Sequence, residues 1–296
     1  MLTAVRTVML RCQVQLVHDG HRKPGGIMDK QAELELILES IRHCRSAVVT
    51  GPAAARLMGV NTLTWVRKTD VLLRNGAKPR AKMKGQLVYR SAILKPHEIR
   101  EINGVAVVRP VRMLLDTLRY HGRLECLVAL ESLRNKWPDR FTQALLLESC
   151  ETLPRAKGAK DLRELIEYSA DTSESPLETV ARDRLLQLPE VVTLEPQAEI
   201  AYRGDYGELC LSRVDFLING FLVAEVDGAA KYSGIYGDPR KVITREKTRE
   251  NGIQAEGFPI VRGDWTSVME GIFANRVAQI VRAEENRKYS IYRRGA

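Results

Sequence analysis

Along the first half of the chain, apolar positions recur mostly at helical spacing. Leu34, Leu36, Ile37 and Ile41 predict a helix over 31–43. The segment GPAAARLMGV reads as a short alanine-rich helix, opened by Gly51-Pro52 and closed by Gly59. Two strand-like runs follow, VLLR at 71–74 and QLVYRSAIL at 86–94, with NGAKPRAKMKG between them. A short strand at 105–108 leads into a helix from Arg109-Pro110 to about Arg119. Further helices are predicted at 123–135, 139–150 and 159–169, with Leu124, Leu127, Val128 and Leu130 on one apolar face. The polar run ADTSES near 170 reads as a linker.

Beyond 170 the period changes. Ser175-Pro176-Leu177-Glu178 opens a helix to about Leu188, and strand-like segments follow at 191–202, 213–218 and 221–227. A polar helix over 240–256 precedes a buried strand at 258–262, so the order is αβββαβ around a mixed sheet. Asn219-Gly220 between two apolar runs is a strong hairpin signal, because both residues accept the positive φ that a type I′ turn needs. The last twelve residues, ENRKYSIYRRGA, are expected to fray.

The chain is thereby divided into a lead at 1–28, a domain over 29–120, a helical connector over 121–170 and a second domain over 171–296. The lead lacks periodicity and is expected to be flexible; Met28, just before the first convincing helix, is an alternative start. Two short helices with a tight connection, then two strands around a basic loop, suggest an α+β winged-helix-like first domain.

Charge sharpens this division. The whole chain carries +9, but residues 1–150 hold 25 basic and 13 acidic side chains, a net of +12, whereas the remainder is net −3. Between Arg67 and Arg100, ten basic residues face only Asp70 and Glu98. That asymmetry points to a polyanion partner for the first half, with Arg67, Lys68, Arg74, Lys78, Arg80, Lys82 and Lys84 as candidate phosphate contacts on double-stranded DNA. A solvated basic face is the plainer alternative. Five scattered cysteines without a CxxC pair suit reduced thiols in the cytoplasm. No run of 18 apolar residues exists to span a membrane. Nucleotide-binding GxxxxGK[ST] and GxGxxG motifs and the GxSxG elbow are absent, and all five histidines lie in the first half. The interleaved aromatics of an RNA platform are missing too.

Candidate chemistry gathers around the predicted hairpin. Glu225 and Asp227 are two apart and share a strand face, and a turn centred at 219–220 brings Asp215 opposite position 224, within one residue of Glu225. Carboxylates among Phe216, Leu217, Leu222 and Val223 are costly to bury without a cation, which suits Mg²⁺ or Mn²⁺. Lys231 is placed to stabilise developing charge. Plainer readings stand beside these: Asp215 and Asp227 at strand ends, Asp227-Gly228 as a turn, and Glu178 as part of a capping box with Ser175. Arg109, Arg112 and Asp116 read as a buried ion-pair network. The surface of the 240–256 helix carries no clear message.

The runs SPLETVARDRLL, VDFLINGFLVAEVDGAAKY and REKTRENGIQAEGFPIVRGDW, over roughly 173–268, resemble the PD-(D/E)XK-type domain related to very-short-patch-repair endonucleases. That resemblance implies an α/β restriction-endonuclease-like core, with Glu178, Asp215 and Glu225 as metal ligands. The chain departs from the usual Glu-x-Asp-Gly-x-x-His in carrying Lys231 where the histidine stands, and Asp227 occupies the position of the superfamily lysine. AVVTGPAAARLMGV and GVAVVRPVRMLLDTL, within about 45–120, resemble the N-terminal part of AbiEi-like antitoxin regulators. This implies a winged-helix DNA-binding module and a toxin or restriction partner. Two functions are therefore expected. One is a metal-dependent DNA endonuclease or nickase, with Glu178, Asp215, Glu225, Asp227 and Lys231 as its catalytic set. That reading leads; the alternative is a noncatalytic DNA-binding transcriptional regulator or antitoxin with a degenerate nuclease-like domain.

Overall fold

The computed structural model describes residues 29–44, 46–74, 83–153, 156–227 and 239–294; side chains are described from 246 in the 239–255 helix and up to 287 in the last. The lead at 1–28 lies outside the described residues.

The first half runs α1 (Lys30–Ile41), β1 (Ala47–Val49), α2 (Gly51–Leu57), β2 (Thr69–Leu73), β3 (Met83–Lys84), β4 (Leu87–Tyr89), β5 (Ile99–Ile102) and β6 (Val105–Val108). Four helices follow: α3 (Pro110–His121), α4 (Arg123–Lys136), α5 (Gln143–Cys150) and α6 (Ala159–Tyr168). The strands form one six-stranded mixed sheet in the order β3-β4-β2-β1-β6-β5. Its centre is apolar: Val48, Val49, Val71, Leu72 and Val107 are inaccessible to solvent, as are Leu114 and Leu115 of α3.

Two expectations about this half are corrected. The short run Ala47–Val49 is a central strand, antiparallel to β2 and parallel to β6, so α1 and α2 are separated by sheet and not joined by a tight turn. In addition, β2 and β4 are parallel, and β4 pairs antiparallel with β3. A parallel pair cannot be closed by a hairpin. The expected hairpin between the two strands is therefore replaced by a parallel pair, residues 75–82 of the basic loop lie outside the described residues, and β4 covers only three residues of the predicted 86–94.

Charged groups tie this sheet to its helices. Arg112 of α3 pairs with Glu98 at 2.9 Å and Asp116 at 3.0 Å, and Thr50 Oγ1 donates to Asp116 at 2.7 Å. The expected network is thus built from Arg112, Asp116 and Glu98, while Arg109 stands outside it, exposed. Buried Asp70 accepts from Arg90 at 2.8 Å and pairs with His121. Gly51 adopts φ +61°, and a Cβ there would lie 3.1 Å from Asp70 Oδ2, so this helix start both needs the left-handed region and lacks room for a side chain.

The second half runs α7 (Pro176–Leu185), β7 (Leu194–Arg203), β8 (Leu209–Ile218), β9 (Leu222–Val226), α8 (Pro239–Ala255), β10 (Ile260–Gly263), α9 (Trp265–Met269) and α10 (Ile272–Arg294). Its four-stranded sheet, β10-β9-β8-β7, is antiparallel except for the β9–β10 pair. The molecule is thus α+β with two mixed sheets, and the alternation αβββαβ is present. Cys210 lies within β8, which begins four residues before the predicted 213–218. Of the run expected to fray, residues 285–294 continue α10, whose Phe273, Val277 and Val281 recur every fourth residue and are buried. Among the described residues, no helix is long and apolar enough to cross a membrane.

The halves share a helix. Val128 of α4 belongs to the core formed by Leu177, Val180, Phe216 and Phe273, whereas Leu127, Leu130 and Leu133 pack into the first core. Glu131, fully buried, pairs with Arg182 of α7 at 2.8 Å. It also accepts from Ala170 N at 2.9 Å and Ser173 Oγ at 2.7 Å. The polar run near 170 is consequently pinned along α4, because its hydroxyl and amide groups complete the shell of a buried carboxylate.

Candidate functional site

Ser175 starts α7: its Oγ accepts from Glu178 N at 3.2 Å, and Pro176 occupies the first turn. The Glu178 side chain does not close the capping box on Ser175. Its Oε2 accepts instead from Glu174 N at 2.9 Å and from Gln197 Nε2 at 3.0 Å. Burial pushes the Glu178 carboxyl above the usual range; the Asp215 charge adds to the rise, and the Glu174 N–H opposes it.

The hairpin explains how Asp215 comes close. Asn219 and Gly220 take φ +49° and +68°, and Phe221 N bonds Ile218 O at 3.1 Å. Strand pairing resumes as Ile218↔Leu222 and Phe216↔Ala224, leaving Phe221 as an extra residue. This bulge moves the register by one from the sequence expectation, so its continuation sets Asp215 opposite Glu225. Asn219 also anchors the turn, accepting from Val192 N at 2.8 Å and Thr193 N at 2.9 Å.

A second irregularity decides which way the carboxylates face. Ser212 and Val214 turn toward α8, where they meet Arg249 and Ile253, but Phe216 and Ile218 enter the opposite core with α7. Regular alternation would keep all four on one side. The slip falls at Asp215, opposite Gln197, whose φ is +55° and which is skipped in the β7–β8 register. Asp215 is thereby directed toward Glu178 and the gap between strands, where Val226 N donates to its Oδ2 at 2.8 Å.

Glu225 faces the other way. It shares a phase with Val223, toward α8, and is buried there. Arg249 grips it with both nitrogens, at 2.8 Å to Oε1 and 3.0 Å to Oε2, and Arg262 of β10 lies 3.3 Å from Oε2. The hydrogen bond to Glu225 raises the Arg249 pKa further above its ordinary value. Arg262 also meets Glu246 and Glu250 at 3.4 Å each. Four charged groups of α8 and β10 therefore surround this carboxylate. The two arginines were missed in the sequence. The available signal was Arg249 four residues before buried Ile253, on the same helix face.

Asp227 lies just past β9, half-buried, its N–H bonded to Gly263 O at 2.9 Å. It lines an open cleft with Arg262, Ser267 and Arg276. Lys231 lies outside the described residues. Of the expected catalytic set, Glu178 and Asp215 are thus brought together, Glu225 is drawn to α8, and Asp227 opens on a separate cleft.

A hard divalent cation needs several oxygens converging on one point. Among the described residues, no group of three His, Cys, Asp or Glu side chains is placed to hold a metal ion. Both oxygens of Glu225 are occupied by guanidinium groups, and the slip at Asp215 points the other two carboxylates elsewhere. Among the described residues, the expected ligands Glu178, Asp215 and Glu225 are not brought to one point.

Of the candidate DNA contacts, Arg67 and Lys68 are exposed just before β2, Arg74 just after it, and Lys84 on β3. Lys84 pairs with Leu87, which pairs with Thr69, so it stands at the Lys68 end of the sheet. Lys78, Arg80 and Lys82 lie outside the described residues. No family model, curated protein or solved structure matches the chain.

Proposed function

We propose that this protein is a DNA-binding regulator of antitoxin type. Its basic first half holds double-stranded DNA in the cytoplasm, and its nuclease-like second half is noncatalytic and serves to bind a toxin or restriction partner. The observation that carries the noncatalytic part is the two-pronged hold of Arg249 on Glu225, reinforced by Arg262. These guanidinium groups supply the positive charge that a metal would otherwise bring. The DNA-binding part is supported by the +12 of residues 1–150 and by the exposure of Arg67, Lys68, Arg74 and Lys84. The resemblance to AbiEi-like regulators agrees with both parts.

A metal-dependent endonuclease or nickase is the second reading. The close Glu178–Asp215 pair favours it, because one carboxyl raised beside a second is a common arrangement for acid–base work. Cleavage by this set requires Glu225 to leave its arginines.

Duplex binding measured by anisotropy across a salt series, together with plasmid nicking in Mg²⁺ or Mn²⁺, separates the readings. The expected result is salt-dependent binding with the plasmid left supercoiled. Replacing Arg67, Lys68 and Lys84 together by alanine should weaken binding and flatten the log–log salt slope by about 2–3, at roughly 0.9 per lost phosphate contact. Nicking that disappears in Asp215→Ala would sink the noncatalytic reading. Binding indifferent to salt would sink the DNA reading.

A further inference from the structure

Away from both carboxylate groups, a cleft of about 400 Å³ opens where the β5–β6 hairpin, the start of α3 and α5 converge. Arg100 reaches it from β5, Arg109 from the end of β6 and Arg140 from the turn before α5. All three are exposed, and among the described residues none has a carboxylate at ion-pair distance. The acidic group in the wall, Glu98, is already spent: Oε1 pairs with Arg112 at 2.9 Å and Oε2 accepts from Lys95 N at 2.7 Å. Elsewhere in this half, buried arginines are matched by acids; here three cations from three elements face one space. Arg140 also lies over the Phe141 ring at 5.8 Å, and three like charges around one space favour an anion between them.

The rest of the cleft is apolar. Val111, Phe141, Leu145 and Leu146 line it, and Leu145 is 44% exposed although it belongs to a packed helix. An inorganic ion would leave that surface uncovered. The volume also falls in the range of small-molecule sites, which pair an apolar wall with a few orienting polar groups.

We propose that this cleft binds a small organic anion, with a carboxylate or phosphate head held by Arg100, Arg109 and Arg140 and an apolar body lying on Phe141, Leu145 and Leu146. Guanidinium forks recognise both heads by paired hydrogen bonds. The site is distinct from the Lys68–Lys84 end of the sheet and does not depend on the second half of the chain.

Calorimetry on the full chain with octanoate, octyl phosphate, octylamine and inorganic phosphate tests this. Saturable 1:1 binding of octanoate or octyl phosphate, with no heat from octylamine, is expected, and the stronger of the two names the head group. Arg109→Ala with Arg140→Ala should weaken binding at least tenfold. Leu145→Glu should abolish it while leaving the arginines in place. All three positions are exposed, and an unchanged melting temperature checks that each variant folds. Octylamine binding as tightly as octanoate, inorganic phosphate as tightly as octyl phosphate, or variants that bind like wild type would each overturn the proposal. So would an absence of heat from both organic anions; if the double arginine variant also loses duplex affinity, the cleft belongs to the DNA backbone.

Discussion

The six-stranded and four-stranded halves both bury carboxylates, and the second half adds an arrangement that the first does not show, a buried acid placed beside another acid. In the first half, Glu33 takes Arg56 at 2.8 Å, Asp70 takes Arg90 and His121, and Arg112 serves Glu98 and Asp116 together. Glu125 alone of these buried acids is held by neutral donors, Leu63 N at 2.9 Å and Thr64 Oγ1 at 3.1 Å. Glu33, Asp70 and Glu98 each have a cation from another part of the core, and Asp116 has one on its own helix. In the second half, Glu225 follows that pattern, whereas Glu178 is held by hydrogen bonds from Glu174 and Gln197. A buried acid with a guanidinium partner is a fastening, since removing either member strands the other in a medium of low polarity. A buried acid held by neutral donors, beside a second acid, keeps the capacity to exchange a proton. The contrast therefore separates architecture from candidate chemistry within one chain.

The largest effect expected from this contrast lies where the halves meet. Glu131→Ala removes the partner of Arg182, whose side chain is only 5% exposed, together with the acceptor for Ala170 and Ser173. Urea denaturation should show a loss of about 3–5 kcal/mol, the usual cost of breaking a buried pair from one side. A loss below about 1 kcal/mol would make the junction a bystander. Next comes Arg249→Met, which leaves Glu225 with Arg262 alone. About 1–3 kcal/mol should be lost, as for a charged hydrogen bond removed from one partner. If this variant instead gains stability together with metal-dependent nicking, the arginine is a lock on a competent site.

The smallest effect is a change of slope with pH. Burial raises the Glu178 carboxyl, so the folded state favours its protonated form. Its contribution is fully present below the unfolded value and is lost as pH rises through the folded one. Glu178→Gln cannot titrate. Chemical denaturation between pH 4 and pH 7 should show the variant gaining on wild type as pH rises, and parallel curves would contradict the buried-acid description.

Much of this arrangement is legible in the chain. Amphipathic helices and the Asn219-Gly220 turn announce themselves because spacing and positive-φ residues are local properties. The three residues Ala47–Val49 do not. A run that short has no period, and only its pairing with β2 and β6 makes it a strand. Parallel pairing of β2 with β4 is equally nonlocal. At the carboxylates, sequence spacing locates Asp215 and Glu225 in one hairpin, but the extra residue at Phe221 and the slip at Asp215 decide their faces. Both distortions depend on a neighbouring strand. Arg249 and Arg262 were hidden for the same reason: 24 and 37 residues beyond Glu225, they meet it only in the folded sheet.

The shared helix α4 also bears on how the chain leaves the ribosome. Glu131 is complete by the time the first core can close, yet Arg182 is translated 51 residues later. At about 5–20 residues per second, that is a delay of several seconds. Throughout it, the nascent first half presents Val128 and a carboxylate still lacking its ion-pair partner on one side of a formed helix. Arrival of α7 seals that seam, so the growing polypeptide passes through a stage with an open flank that the finished protein does not have.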